Sequence, residues 1–368
     1  MVAALISIVL LGLLVIVHEV GHFLVARWSG VRVLRFSVGF GPRLMTWTRG
    51  HTEYAVSAIP LGGYVKMAGE QHEQPPSSSG QTQVGEPWEY FSKPVGTRAK
   101  IVFAGPLVNY LVALVCLWVV FVTGYPELLP VIGKVVEGMP AQAAGLQVGD
   151  RIRAINDHQI RTWDAMTKVI YASPSQPLVI QLERDGAGET VTVTPTLKTM
   201  TDPFGRTKSV GLIGIGPSGE FQAIRVGPLA AIGRTFHQQN EWIAQTLLSL
   251  WALMTGKMSM RDSVTGPIGI VYLTSQAVQL GLAPLLSLIS LFSLSLALFN
   301  LFPIPILDGG HLLFLSLEKL RGTPVSSQIQ ERSAQVSFVL IMAFVLVICV
   351  NDVNRFGLLD KLAGWFKP

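Results

Sequence analysis

The sequence predicts a polytopic α-helical membrane protein with about four transmembrane helices, a β-hairpin region on the cytoplasmic side and one α+β domain outside the membrane. Hydrophobic residues make up 49% of the 368 residues, whereas charged residues make up only 14%. Lys and Arg concentrate in two connecting loops, which predicts an orientation. Charge-poor segments that approach the ~20 residues needed to cross a bilayer lie at 2–26, 101–123, 282–306 and 334–350.

The first segment, within residues 1–30, carries the pattern HEVGH at 18–22 in an otherwise uncharged apolar run. Positions four apart share one helix face, so His18 and His22 can bind one Zn²⁺. Glu19 then lies beside the metal, where a general base takes a proton from water. Ionisable groups in lipid cost roughly 2.5 kcal/mol or more each and usually face a partner or a functional cavity. The run has no basic residue before it and exceeds a typical signal-peptide core, which favours a retained helix over a cleaved signal.

Residues 31–98 are predicted to form a β-hairpin region and loop in the cytoplasm. Short β-prone runs between 31 and 67, separated by Gly-Pro, Arg-Gly-His and Leu-Gly-Gly, indicate two hairpins. They form either an ordinary sheet or an edge strand that pairs with an extended substrate. Residues 70–89 are rich in Pro, Ser and Gly, which predicts a mobile loop or linker.

The second span, predicted at 99–124, places Asn109 at membrane depth, where an amide needs a partner. That partner is either another helix or a group near the metal. Cys116 in this span and Cys349 in the last apolar segment are expected to be small buried hydrophobic residues. The sequence therefore predicts no disulfide framework and no CxxC metal site.

Outside the membrane, residues 125–220 have the pattern of one small α+β domain. A short helix, a Gly-Asp turn and a strand are predicted at 139–152, followed by alternating strands at LVIQLER and ETVTVTP. The region 221–281 contains an amphipathic stretch at 222–256. We expect this stretch to lie along the membrane surface or to pack against the spans.

The third span, predicted at 282–311, ends in the segment NLFPIPILDGGH. Pro303 and Pro305 interrupt helical hydrogen bonding, and the two glycines after Asp308 add backbone freedom. A cytoplasmic loop at 312–333, a fourth span at 334–351 and an extracytoplasmic tail at 352–368 complete the predicted organisation.

Basic residues set the predicted topology. They cluster between spans one and two and again between spans three and four, so both loops are placed in the cytoplasm. Both termini and the long segment at 124–281 are then extracytoplasmic. The net charge of +5 reflects this topology, and no nucleic-acid binding is predicted.

The combination of HEVGH, PLGGYVKM, GPLVN, GPIGI at 266–270 and NLFPIPILDGGH resembles the site-2 protease family of intramembrane zinc metalloproteases, and its regulator-of-sigma-E protease branch in particular. The resemblance covers nearly the whole chain. It implies that His18, His22 and Asp308 hold one Zn²⁺ per chain and that Glu19 is the general base. Two His and one carboxylate leave a fourth position for water. His311 is a possible competing ligand.

The resemblance also implies substrate-binding residues. Asn300 and the hairpin segment around Gly62, Gly63 and Tyr64 are expected to hold unwound substrate, although Asn300 can equally cap the helix before Pro303. The segment at 139–152 resembles a PDZ domain, and GLIGI resembles its carboxylate-binding loop, placed late as in circularly permuted PDZ domains. The expected contributors from that loop are Gly211, Ile213 and Gly214. Well-known members have tandem PDZ domains, whereas this chain has room for one, which acts as a steric filter or as a C-terminus receptor.

The expected function is cleavage of transmembrane segments, such as those of anti-sigma factors or remnant signal peptides, in regulated intramembrane proteolysis. Partners are the lipid bilayer, single-span membrane protein substrates and an upstream site-1 protease that makes the first cut. The expected location is the bacterial inner membrane. One alternative is a non-catalytic membrane adaptor with a structural zinc, which the intact Glu19 disfavours. A metal transporter is the other, and the presence of a single metal motif argues against a conduction path.

Overall fold

A computed structural model describes residues 2–70, 86–201, 207–259 and 264–355. Most of the linker predicted at 70–89 and most of the tail predicted at 352–368 lie outside these residues. The helices are α1 Val2–Trp28, α2 Val95–Thr123, α3 Pro140–Ala143, α4 Trp163–Ala172, α5 Pro228–Met254, α6 Pro267–Leu280, α7 Leu282–Asn300, α8 Asp308–Arg321 and α9 Ser327–Arg355. The first strands are β1 Val33–Arg49 and β2 Thr52–Met67. The others are β3 Tyr125–Leu128, β4 Ile132–Val135, β5 Arg151–Ile155, β6 His158–Gln159, β7 Leu178–Arg184, β8 Ala187–Val193, β9 Thr196–Thr201, β10 Thr207–Leu212, β11 Ile215–Pro217 and β12 Phe221–Ile224.

Four helices in the described ranges, α1, α2, α7 and α9, are long and apolar enough to cross a membrane. This confirms the predicted number of spans. The helices α2 and α9 begin several residues before the predicted spans, because the polar turns ahead of the apolar runs are also helical. The chain divides into two compact units. We call Met1–Leu117 with Val264–Pro368 the membrane unit and Trp118–Ser263 the inserted unit.

The end of the third span differs from the prediction. α7 stops at Asn300, and a reversal separates it from α8, whose first residue is Asp308. Pro303 and Pro305 lack the amide hydrogens that would continue the helix, which explains the stop. The predicted loop at 312–333 begins with helix, since α8 continues to Arg321 with an apolar face that buries Leu315.

The region at 31–67 contains one long hairpin and not the two that the turns suggested. β1 pairs antiparallel with β2, but the register is broken repeatedly. Phe36 pairs with both Val65 and Tyr54, so the middle of β1 lies between the two ends of β2. Gly39 and Gly41 have φ of +90° and +84°, which lets β1 bend sharply where another residue would be strained. The bend leaves the last segment of β2 beside α1.

The last span is fastened to α6 by a buried carboxylate. Asp352 on α9 is 0% exposed and accepts hydrogen bonds from the amides of Gly266, Ile268 and Gly269 at 3.0–3.1 Å. The first turn of a helix has amides without helical acceptors, so an anion there satisfies several at once. A Cβ at Gly266 would come within 2.5 Å of Ile348, which explains the glycine in GPIGI.

The inserted unit contains a four-stranded sheet in the order β6-β5-β7-β8, packed against α4. Its apolar core includes Ile152, Ile155, Met166 and Ile180, each at most 1% exposed. β11 pairs with β4, which brings the late GLIGI segment back to the start of the unit. α5 follows with 27 residues and exposes large apolar side chains such as Trp251. Its predicted place on the membrane surface stays a prediction.

Candidate metal centre

The helix α1 presents two histidines one turn apart on its buried face. His18 and His22 are 6% and 8% exposed, and their Nε2 atoms are 3.1 Å apart. The same face includes Gly21, where a Cβ would come within 2.4 Å of the Ala104 carbonyl oxygen. The bare glycine therefore lets α2 approach α1 closely beside the two imidazoles.

The third group comes from the reversal between α7 and α8. Oδ2 of Asp308 lies 3.0 Å from Nε2 of His18 and 3.5 Å from Nε2 of His22. The reversal is tight, since a Cβ at Gly309 would lie 2.1 Å from the Phe302 carbonyl oxygen and one at Gly310 would lie 2.3 Å from that of Ile304. The two glycines after Asp308 thus permit the turn that brings its carboxylate to the histidines.

The three atoms fit the geometry of a zinc site. Zinc binds His nitrogen and carboxylate oxygen at about 2.0–2.2 Å in a tetrahedron, which places ligand atoms about 3.3 Å apart. The observed separations are 3.0, 3.1 and 3.5 Å. Oδ2 of Asp308 is buried and accepts no hydrogen bond from the described residues, although two nitrogens lie within 3.5 Å. A cation bound to all three atoms therefore explains this arrangement better than hydrogen bonds from the two imidazoles to Asp308.

One face of α2 backs the metal centre. The carbonyl oxygen of Ile101 lies 2.9 Å from Nδ1 of His22, and because a carbonyl only accepts, Nδ1 donates and Nε2 is left to bind a metal. One turn later, a Cβ at Gly105 would come within 2.3 Å of Nε2 of His22 and 2.7 Å of Cε1 of His18. Pro106 follows inside the helix, and its missing amide loosens the preceding turn. The motif GPLVN does not by itself indicate these roles.

Glu19 lies between the metal centre and the hairpin. Its Cγ is 3.6 Å from the position a Cβ on Gly63 would take, and the Val65 backbone interacts with its carboxylate. The β2 segment at 63–65 also pairs with β1, through Ser37 with Tyr64 and Phe36 with Val65. A strand that binds substrate here would therefore run directly past the carboxylate.

A cavity of about 520 Å³ opens from the metal centre within the membrane unit. Gly63, Asn300 and His311 are among its lining residues, with Glu19 and the three metal-centre residues. Gly62 and Tyr64 are not among them. Tyr64 stacks on Phe40 at 6.2 Å between ring centroids, and Gly62, with φ of +115°, lies against the same ring. His311 lies outside the cluster of possible metal ligands among the described residues.

An ion pair that the sequence analysis missed joins α2 to α8 at the cavity wall. Arg98 is 5% exposed and donates from Nη1 to Glu318 at 3.1 Å, with a second contact from Nη2. Its Nε donates to the Lys93 carbonyl oxygen at 3.1 Å. A buried, bidentate pair of this kind fixes the relative position of two helices. It therefore holds α8, which begins at Asp308, against the helix that backs the histidines.

The predicted carboxylate-binding residues lie in the inserted unit. Ile213 and Gly214 line a groove of about 110 Å³ beside α4, with apolar side chains that include Met166 and Ile170. Gly211 is not among the residues that line the groove; it packs against the end of α4, where a Cβ would meet the Ile170 carbonyl oxygen at 2.6 Å. The carbonyls of Ile213 and Gly214 accept hydrogen bonds of 2.8 Å from Ala141 and Val136. The loop is thus held in place on one side.

Comparisons with known proteins place this geometry in context. The family model described as peptidase family M50 matches residues 6–344. A Rhizobium meliloti protein described as a zinc metalloprotease is 37% identical over 354 residues, 94% of each chain. Zinc metalloprotease RasP of Geobacillus kaustophilus is 31% identical, covering 95% of this chain and 97% of its own. Protease RseP of Yersinia pestis is 32% identical with the same coverage, over 451 aligned positions. That alignment exceeds the 368 residues of this chain, so the Yersinia protein carries additional segments.

Proposed function

Because this chain belongs to peptidase family M50, the site-2 protease family, we propose that it cuts transmembrane segments of single-span membrane proteins inside the membrane. It is a multi-pass membrane protein and a zinc-dependent protease. We assign His18, His22 and Asp308 as the ligands of one Zn²⁺ and Glu19 as the general base. The convergence of these three buried ligand atoms beside Glu19 is the observation that carries the proposal.

The chain's own residues divide the chemistry among them. When bound, Zn²⁺ supplies a Lewis acid that makes water nucleophilic near neutral pH. Glu19 takes the proton that water loses on attack, and it then gives this proton to the leaving nitrogen of the cleaved peptide bond. Burial of the two histidines and Asp308 keeps bulk water from competing for the metal. The cavity admits both water and an extended peptide.

Substrate binding follows from the sheet edge beside Glu19. A transmembrane helix hides its carbonyl groups in its own hydrogen bonds, so it must unwind before it is cut. The β2 segment around Gly63 offers backbone groups to such an extended strand. Glycine at 63 avoids a clash with the Ser37 carbonyl oxygen of β1, which lies 2.5 Å from the position a Cβ would take. Asn300 at the end of α7 lines the same cavity and can hydrogen-bond a released carbonyl. We assign Gly62 and Tyr64 a supporting role, since they pack against Phe40.

The relatives' names suggest a biological setting. One relative from Salmonella typhimurium is named regulator of sigma-E protease RseP. By analogy we propose that this chain acts in a bacterial inner membrane on anti-sigma factors or remnant signal peptides. An upstream site-1 protease first removes the outer part of the substrate. The basic loops favour cytoplasmic placement of the hairpin, with both termini outside.

Removal of the metal tests the reaction. The full-length protein, purified in detergent, is incubated with a single-span substrate before and after treatment with a zinc chelator. We expect chelation to reduce cleavage at least a hundredfold, because without the metal the attacking water keeps its ordinary high pKa and Glu19 alone is too weak a base for it, and we expect added zinc to restore cleavage. Metal analysis of each sample verifies the zinc content. Undiminished cleavage by a sample shown to lack zinc would refute metal catalysis.

The inserted unit is proposed to be a PDZ-like receptor for the substrate's new C-terminus. Three observations support this role. The groove beside α4 is apolar, as a C-terminal side chain requires. β11, at the groove, pairs only with β4 among the described strands, so its other edge can accept an added strand. Gly214 has φ of +84°, a conformation that allows a tight backbone loop near a carboxylate.

Filling the groove should raise KM for substrates with a free C-terminus. Thr167 lines the groove, whereas the neighbouring Lys168 is exposed and outside it. We expect Thr167→Trp to raise KM about tenfold and to leave kcat unchanged, because the groove is not part of the metal centre. Lys168→Trp introduces the same side chain on the same helix but outside the groove, and it serves as control. Amidating the substrate's C-terminus should have the same effect as Thr167→Trp, and equal KM values throughout would favour a steric filter.

A further inference from the structure

Asn109 lies one turn beyond Gly105 on α2 and faces His18. Its side chain is 0% exposed, and Nδ2 lies 3.4 Å from Nδ1 of His18. Oδ1 of Asn109 is buried and has no hydrogen-bond partner among the described residues. A buried polar atom left without a partner is destabilising, because it has lost its hydrogen bonds to water without replacing them. Oδ1 of Asn109 therefore lacks the hydrogen bond that its buried position calls for.

The metal centre determines what His18 requires from this amide. Nε2 of His18 faces Nε2 of His22 and Oδ2 of Asp308, so Nε2 is the nitrogen that binds the ion. A neutral imidazole with a metal on Nε2 carries its hydrogen on Nδ1, and that N–H needs an acceptor. Rotating the Asn109 amide by 180° places Oδ1 beside Nδ1. The same rotation gives the unpartnered oxygen its hydrogen bond.

We propose that Asn109 is a positioning residue whose Oδ1 accepts the Nδ1 hydrogen of His18 and thereby directs Nε2 toward the metal. The Ile101 carbonyl holds His22 in the same way. Positions 101, 105 and 109 share one face of α2, so this face orients both histidine ligands and makes room between them. The inference rests on the proposed zinc site and deepens it.

The backbone around Asn109 is itself fixed by α7. Ser293 donates from Oγ to the Asn109 carbonyl oxygen at 2.7 Å. Ser290 donates to the carbonyl oxygen of Ala113, one turn further along α2 and outside the Asn109 contact, at 2.7 Å. Both serines are 0% exposed. A side chain that starts from a fixed backbone has few conformations left, so the amide meets His18 at low entropic cost. The helix that ends near Asp308 thus also anchors the partner of His18.

Zinc affinity tests the proposal in the full-length, detergent-purified protein. Chelator competition measures the zinc Kd of the wild type, Asn109→Leu and Asn109→Asp. Leu keeps the approximate shape of Asn but cannot accept a hydrogen bond, whereas Asp keeps an oxygen at the same place. Loss of an outer partner of a ligating His typically weakens metal binding 10–100-fold. We expect that loss for Asn109→Leu and a Kd within about threefold of wild type for Asn109→Asp.

The cobalt-substituted protein gives a second readout. The visible absorption of bound Co²⁺ reports ligand geometry, and we expect it to change in Asn109→Leu and to return in Asn109→Asp. Ser290→Ala removes a neighbouring α2–α7 hydrogen bond without touching His18, so its Kd and spectrum should stay those of the wild type. If Asn109→Leu does not fold, Asn109→Ala replaces it in the comparison.

Three outcomes would overturn the assignment. The first is an unchanged zinc Kd and cobalt spectrum in the folded Leu or Ala variant. The second is a loss of zinc affinity in Asn109→Asp equal to that in Asn109→Leu. The third is an equal loss of zinc affinity in Ser290→Ala. The last two would indicate helix packing and not an acceptor for His18. Failure of the zinc site itself is distinguishable, since the wild type would then bind no stoichiometric zinc at all.

Discussion

Glu19→Gln is expected to abolish peptide cleavage while leaving zinc and fold in place. An amide is nearly the size of the carboxylate but cannot take a proton from water, so the general-base step is lost. General acid–base catalysis contributes about 10²–10⁴-fold, and we expect a decrease of that order in kcat. The measurement is the rate of substrate cleavage by a preparation free of wild type, with the zinc content determined on the same sample.

The matched control is Glu331→Gln, the same chemical change at an exposed position on α9 outside the cavity. Its rate should equal that of the wild type. Because substrate still binds to Glu19→Gln, a long-lived complex with uncut substrate should be isolable. Appreciable turnover by zinc-loaded Glu19→Gln would mean that another group is the base.

Loss of one ligand should produce the largest change in metal binding. Structural zinc sites bind with roughly 10–16 kcal/mol, so removing one of three protein ligands should cost about 3–5 kcal/mol, a hundred- to ten-thousandfold in Kd. We therefore expect His22→Ala and Asp308→Ala to lose their zinc during dialysis against a competing chelator that leaves the wild type with one zinc per chain. Metal analysis of the dialysed proteins gives the result.

His311→Ala is the informative comparison for that experiment. His311 lines the same cavity one turn after Asp308, but it lies outside the cluster formed by His18, His22 and Asp308. We expect this variant to keep one zinc per chain. If His311→Ala lost its metal while Asp308→Ala retained it, the third ligand would be the histidine, and the assignment from the LDGG motif would be wrong.

Two features of the catalytic centre were predictable because they depend on short stretches of chain. The four-residue spacing of His18 and His22 places both imidazoles on one face of any α-helix, whatever surrounds it. The four spans follow from runs of apolar residues that a bilayer requires. The resemblance added Asp308, which no spacing rule connects to residues almost three hundred positions earlier. Zinc and protease activity followed from these same residues, and the comparisons support both.

Local patterns were weaker guides to the ends and pairings of elements. Turn residues in 31–67 suggested two hairpins, but a β-strand's register depends on its neighbours, and bends at Gly39 and Gly41 let one hairpin close on itself. Hydropathy predicted a third span that continues beyond Asn300, whereas the helix ends at Asn300 because Pro303 and Pro305 follow it. An apolar segment shows where a helix can lie, whereas backbone hydrogen bonding decides where it stops.

The sequence by itself determined the span count, the two-histidine helix face and the chemistry that a glutamate between those histidines makes available. Only the tertiary structure decided which distant groups complete the site. Arg98 and Glu318 are 220 positions apart, Asp352 binds amides more than 80 positions earlier, and Asn109 reaches His18 from 91 positions away. Within its own segment of sequence, each of these residues looks like an ordinary polar residue. Its role arises because burial leaves a polar group only the partners that helix packing brings within hydrogen-bonding distance.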